Sequence, residues 1–336
     1  MNKRSFLKGL ALAGLATPLS GSAMAKWINQ FSDYPAATLA ENEEYWAAIR
    51  SGYKLKPDYI NLENGYYNFL PESLLENFID HVREVNYQGS YYMRTVQFDN
   101  KKSMAARLAL IGGCGAEELV ITRNTTESLD LIIGGVRWTA GDEAVMAEQD
   151  YGSMLEMFKL VAKRYGVVNK IVSVPNHPSD DDELVKLYAD AITSKTKLLM
   201  ISHIINITGQ ILPVRKICDM AHSKGVDVMV DGAHAFAHIQ YTIADLHCDY
   251  YGASLHKWLS SPLGAGMLYV KKENIKKIWP LLADSERNEN DIARLNHIGT
   301  HPAHTDLAIA NAIDYYNMIG AEKKEARLRF IQKYWT

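Results

Sequence analysis

The stretch VDVMVDGAHA, residues 226–235, decides the architecture. Its near-continuous apolar run, residues 226–230, leads into Asp231, Gly232, Ala233 and His234. Apolar residues at nearly every position, rather than at alternate ones, fit a parallel strand covered on both faces. The same pattern recurs as ELVIT at 118–122, AVMA at 144–147, a run over 167–174, KLLMIS at 197–202 and GMLYV at 266–270. Helix-like segments fall between these strands at 125–138, 152–165, 181–193 and 213–224, the last opened by Pro213 and closed by Gly225. Strands alternating with helices predict an α/β layer architecture with a mostly parallel sheet. Helical periodicity also marks 41–50, 71–87, 98–111, 303–319 and 321–335, and no internal repeat is present.

The composition is that of an ordinary soluble globular protein. With 336 residues, 47% apolar and 22% charged, the chain can bury one large domain and a smaller one. Its first 25 residues read as a signal peptide. Lys3, Arg4 and Lys8 make a basic start, Leu10 to Leu19 is a short apolar run, and Ala23, Met24 and Ala25 form a small-residue cleavage site. The apolar run is too short and too rich in Gly and Ala for a membrane span. Residues 2–8, NKRSFLK, resemble a twin-arginine export signal with lysine in the first arginine position, so a periplasmic location is expected. The general secretory route is the alternative. Removal of the three basic residues would take the formal charge from −3 to −6, which gives no electrostatic reason to bind nucleic acid or anionic lipid. Cys114, Cys218 and Cys248 lack CxxC spacing and are expected as buried free thiols.

In an open parallel sheet, ligands bind beyond the carboxyl ends of the strands. ELVIT is followed by Thr125 and Thr126 at a helix start, where hydroxyls and free N–H groups suit a phosphate. AVMA is followed by Tyr151, an aromatic ring able to stack on a flat heterocycle. After KLLMIS comes Asn206, able to donate to a phenolate oxygen. Asp231 follows VDVMV, and Ser254, His256 and Lys257 follow the Tyr250–Ala253 segment. A lysine amine and a carboxylate in these places match the needs of pyridoxal phosphate (PLP): a Schiff-base partner for the aldehyde and a counter-ion for the pyridine nitrogen.

The stretches RNTTES (123–128), VDGAHA (230–235) and SLHKWLSSPLGAGMLYV (254–270) carry a family resemblance. The chain resembles fold-type I PLP enzymes of the class V aminotransferase family over roughly residues 58–320, with the isopenicillin N epimerase-like branch closest in wording. The resemblance implies Lys257 as the Schiff-base lysine and later the acid/base at Cα, and Asp231 as partner of the pyridine nitrogen. It implies Tyr151 stacked on the ring, Thr125, Thr126, Ser254 and His256 around the phosphate, and Asn206 and His234 on the phenolic-oxygen side. Gly299-Thr300 resembles the segment whose threonine reaches the phosphate of the neighbouring subunit, which implies a homodimer with shared active sites.

The expected activity is chemistry at the Cα of an amino acid or derivative: epimerase, lyase or aminotransferase. Cysteine desulfurase activity is not expected, because it needs a mobile cysteine late in the chain. The family usually continues into a small C-terminal domain whose arginine grips the substrate carboxylate. The expected organisation is therefore residues 1–25 as export signal, 26–60 as an N-terminal segment, 61–310 as the PLP-binding large domain and 311–336 as the start of an incomplete small domain. Arg94 is the candidate replacement for the substrate carboxylate ligand. The competing reading is a truncated or non-catalytic PLP-binding protein. No metal is expected from His297, His301 and His304, because Pro302 interrupts their register.

Overall fold

The computed structural model describes residues 21–284 and 286–334; most of the expected export signal lies outside them. Seven strands form one sheet: β1 (Leu119–Thr122), β2 (Glu143–Ala147), β3 (Val168–Val172), β4 (Thr196–Ser202), β5 (Asp227–Asp231), β6 (Tyr250–Ser254) and β7 (Gly266–Val270). Their order is β1-β7-β6-β5-β4-β2-β3. The run from β6 to β3 is parallel, and β7 pairs antiparallel with both β6 and β1. The expected α/β fold with a mostly parallel sheet is the one observed.

The near-continuous apolar runs have a direct cause. Successive residues of one strand point to opposite faces, and both faces are covered. Leu198 and Met200 of β4 pack in one core layer with Met229, Tyr250 and Leu268. Leu199 and Ile201 pack in the other with Val228, Val230 and Tyr251. β3 departs from this pattern. It is the edge strand, paired only with β2, and Val168 and Ile171 are exposed.

Helices cover the two faces. Those that matter for the site are α6 (Thr125–Gly135), α7 (Gly152–Tyr165), α8 (Asp181–Ala191) and α9 (Val214–Ser223), all close to their expected spans. Before them stand α1 (Gly21–Asn29), α2 (Ala36–Ala40), α3 (Glu43–Ser51), α4 (Glu72–Gln88) and α5 (Gln97–Gly112). After α9 come the one-turn α10 (Ile243–Leu246), then α11 (Ala303–Ile319) and α12 (Ala321–Gln332). Asp180 caps α8 by accepting the Glu183 N–H at 2.9 Å, so the acidic run there is a helix start.

The N- and C-terminal segments are not separate bodies. α11 runs unbroken through residue 310, and Ile309, Ala312 and Ile313 lie in the same core layer as Val228 and Val230. α12 packs on α2, and Arg327 binds Glu43 at 2.7 and 3.0 Å and the Ala40 carbonyl at 2.8 Å. α1 crosses the expected cleavage junction at Ala25, and Met24 and Ile28 are buried in that layer. The apolar faces of α1 to α3 and α11 thus bury against the large domain. Among the described residues no helix is long and apolar enough to cross a membrane, and the three cysteines are free.

Candidate active site

The sheet's strand order reverses between β2 and β4, and site residues gather at the carboxyl ends there and on the neighbouring strands. The ladder sets their alignment: Ser202 pairs with Asp231, Asp231 with Gly252, and Ser254 with Gly266. Glycine is required at two of the adjoining positions. A Cβ on Gly232 would lie 1.9 Å from the Tyr251 phenol, and one on Gly266 would lie 2.6 Å from the Asn124 backbone. The second approach brings β7 against the start of α6.

At that start, Asn124 caps the helix by accepting the Glu127 N–H at 2.8 Å. Thr125 donates its N–H to Ser254 Oγ at 2.9 Å, and the two hydroxyl oxygens are 2.7 Å apart. Both side chains are buried, so a strand end and a helix N-terminus present one hydroxyl cluster. Thr126 occupies the same first turn, half-buried.

Asp231 is buried, and its Oδ1 accepts the Ala233 N–H at 2.9 Å. Burial raises its pKa, with the Lys257 charge pulling the other way. No cationic side chain among the described residues forms an ion pair with it. Lys257, beyond the end of β6, is half-buried, and burial lowers its pKa against the pull of Asp231. Its Nζ lies 3.0 Å from His234 Nε2 and 5.0 Å from the Tyr66 ring centroid. Burial, then Lys257 and His238, push His234 down to about 3, so its imidazole is neutral at pH 7. His238 Nδ1 bonds the His234 carbonyl at 2.8 Å and stacks on Trp258 with ring centroids 3.6 Å apart. Lys324 of α12 donates to the Trp258 carbonyl, and burial pulls its pKa down to about 7.

Tyr151, at the start of α7, shares a hydrogen bond with Tyr66, oxygen to oxygen 2.6 Å. That bond, then burial, raises Tyr66 to about 12. His256 lies nearly parallel to the Tyr67 ring at 6.3 Å, its pKa lowered by burial. The structure therefore gathers Thr125, Ser254, Asp231, His234, His256, Lys257 and Tyr151 around one group of strand ends.

Three expected residues are exposed. Asn206 is exposed on a turn beyond β4, in a loop closed by the Gly209 N–H to Ile205 carbonyl bond at 2.8 Å. Thr300 is exposed after Gly299, whose φ is +76°. Arg94 is exposed on the π-helical turn Tyr92–Val96.

Other groups escape the sequence reading. Asp150 is buried at the end of β2, where it accepts Ser202 Oγ–H and Ala147 N–H, each at 2.7 Å. Burial pushes its carboxyl up to about 7, and nearby Asp231 adds to this. The strand-end rule that finds Tyr151 points to Asp150 as well. Tyr66 and Asn68 have no such signal, because they lie in a polar, aromatic stretch without periodicity. Asn68 Nδ2 donates to the Lys257 carbonyl at 3.0 Å and to Ser260 Oγ at 2.7 Å.

The profile of the family Aminotransferase class-V matches residues 90–336. This chain belongs to the aminotransferase class-V family. It is 27% identical over 301 residues to isopenicillin N epimerase of Streptomyces clavuligerus, covering 84% of this chain and 75% of that one. It is 29% identical over 304 residues to the isopenicillin N epimerase of Amycolatopsis lactamdurans, covering 84% and 76%. Among solved structures, the cystine C-S lyase C-DES in complex with cysteine persulfide superimposes with a TM-score of 0.72 at 21% identity, over 78% of this chain and 73% of that one. A C-DES mutant with glycine covalently linked to its PLP cofactor gives a TM-score of 0.74 at 20% identity, over 80% and 74%. The class V member described here is a PLP-dependent enzyme, as expected from the sequence.

Proposed function

We propose that this class V enzyme acts at the Cα of an amino acid or amino-acid derivative, with Lys257 as the amine that binds the cofactor and handles the Cα proton. The observation that carries the reading is Asp231, a buried carboxylate without an ion-pair partner among the described residues, at the same strand ends as Lys257.

The residues present fit PLP. Burial makes the Asp231 charge costly, and a protonated pyridine nitrogen would supply the missing counter-charge. Thr125 and Ser254 hydroxyls at the α6 N-terminus suit a phosphate, where hydroxyl donors and the helix dipole act together. Tyr151 supplies an aromatic face, and Thr126 and His256 would flank the phosphate side. When bound, PLP supplies an electron-accepting ring that makes the Cα proton acidic.

The chain does the rest. Asp231 would hold a proton on the ring nitrogen. Lys257 Nζ would hold the aldehyde and is the amine placed to take or return a proton at Cα. Neutral His234 can accept a hydrogen bond from Nζ and so orient it. Epimerase chemistry is favoured over desulfurase chemistry by the thiols described here. Cys218 and Cys248 are buried, and burial pushes all three thiols up, Cys114 to about 12, so none is a ready nucleophile.

A homodimer and export to the periplasm belong to this proposal. Exposed Thr300 is free to face a neighbouring subunit, and light scattering of purified protein tests the dimer. The test of the reaction is incubation of loaded enzyme with amino acids in deuterated water. Deuterium at Cα with loss of chirality is expected; a PLP-loaded protein that exchanges no Cα proton on any amino acid would refute the assignment.

A further inference from the structure

Residues Gly65 to Asn68 cross the site as a strap, and each touches a different part of the turn that carries Lys257. Gly65 lies against Trp258, where an added Cβ would meet the indole Cζ2 at 3.2 Å. Tyr66 presents its ring to Lys257 Nζ at 5.0 Å and its hydroxyl to Tyr151 at 2.6 Å. Tyr67 lies parallel to His256, with 18° between the rings. Asn68 binds the Lys257 carbonyl and Ser260 Oγ. Ser260 has φ +60°, a left-handed conformation that costs a non-glycine residue about 1 kcal/mol and persists where neighbours impose it. The strap is thus clamped to the one turn whose position decides where the lysine amine sits.

We propose that Tyr66 is a positioning residue for the proposed reaction, its ring face holding the Lys257 ammonium while its phenol fixes Tyr151. The inference rests on the assignment of Lys257 as the reactive amine. An aromatic face attracts a cation through its quadrupole and does not attract a neutral amine in the same way. Lys257 is faced by Asp231 from the end of β5, by His234 from the turn after it, and by His256 from its own turn. Tyr66 faces it from the strap, with Tyr151 of α7 behind. Asp231, the Tyr66 ring and the hydrogen bond that neutral His234 can accept from Nζ favour the ammonium. Burial opposes it, so removing the ring has a predictable sign: the amine loses its proton at lower pH. The phenol–phenol bond ties the same side chain to Tyr151, so one strap residue would set both the amine's proton state and the stacking ring's orientation.

The test is competitive acetylation of the full chain with acetic anhydride after the cofactor is released with hydroxylamine and dialysed out. Mass spectrometry follows Lys257 across pH, with exposed Lys333 as internal reference. Tyr66→Leu and Tyr66→Ile keep an apolar cover but remove the ring. Both should move the Lys257 midpoint down by about one pH unit, equivalent to roughly tenfold faster relative labelling below it. Tyr66→Phe keeps the ring and should keep the wild-type profile, while changing the circular dichroism of bound PLP through the lost bond to Tyr151. An unmoved or raised midpoint in both ring-less variants would overturn the proposal. So would a shift in Tyr66→Phe as large as in Tyr66→Leu. The labelling readout needs no cofactor. A wild-type protein that takes up no PLP but shows the expected shifts would therefore refute the functional assignment and leave the strap's role standing.

Discussion

The strand-end half of the site and the strap half meet on Lys257 but are held in different ways. Asp231, Ser202 and Ser254 owe their alignment to backbone ladders, where each residue faces a fixed partner on the next strand. Tyr66 and Asn68 owe theirs to side-chain contacts with residues 85 to 192 positions away in sequence. A ladder survives loss of one side chain, because the backbone still places its neighbours. A strap held by individual side chains should respond to each loss separately. The strand ends therefore ought to govern whether the cofactor is held and the reaction runs, and the strap how the amine is poised.

The largest effect should come from Asp231→Ala. Without a carboxylate to hold the ring nitrogen's proton, Cα exchange should fall by about 10³-fold, while Lys257 still binds cofactor. Exchange within tenfold of wild type would break the proposed division. Next, Ser254→Ala removes one of the paired hydroxyls at the α6 N-terminus. Equilibrium dialysis should show PLP binding weakened by about 10- to 100-fold, the range expected for a hydrogen bond to a charged group.

Asp150 sharpens the comparison through pH. Burial raises its carboxyl to about 7, far above the ordinary value of 3.8. The folded state therefore binds a proton there that the unfolded state has already lost. Its contribution to stability is present at low pH and is lost as pH rises from about 4 to 7. Asp150→Asn, which cannot ionise, should gain stability relative to wild type across that window in urea unfolding. Buried His203 and half-buried His234 and His238 act oppositely below pH 6.5, but they are common to both proteins and cancel in the difference. A difference independent of pH would show that Asp150 does not titrate there. The smallest effect is expected at Arg94. Exposed on its turn, it should leave substrate affinity within about twofold when changed to alanine.

What the sequence makes legible follows the same division. Strands announce themselves by apolar runs covered on both faces, and whatever follows such a run stands at a sheet's ligand edge. That logic finds Asp231, Ser254, Thr125, Tyr151 and Lys257 without knowledge of any distance. It says less of Asn206, which lies four positions beyond the end of β4, exposed on a closed turn. His203, immediately after the strand, is buried instead and packs edge-on against Tyr241 at 4.5 Å. Tyr66 and Asn68 carry no periodic signal, Lys324 lies on a helix whose periodicity names no site, and only the tertiary fold brings the three to the Lys257 turn. How residues 26–60 and 311–336 pack on the large domain is not legible for a related reason. Amphipathic helices reveal that they have a buried face, not what buries it. Here Leu39 of α2 and Ile313 of α11 share a core layer with Val230 of the sheet.

The central claim is that Lys257 binds the cofactor aldehyde. Borohydride treatment of the PLP-loaded protein, followed by proteolysis and mass spectrometry, tests it most directly. One pyridoxyl-phosphate group per chain on the peptide containing Lys257, with loss of the visible absorption band in Lys257→Ala, is the expected result. A pyridoxyl group on another lysine, or none on a protein exposed to excess PLP, would contradict it.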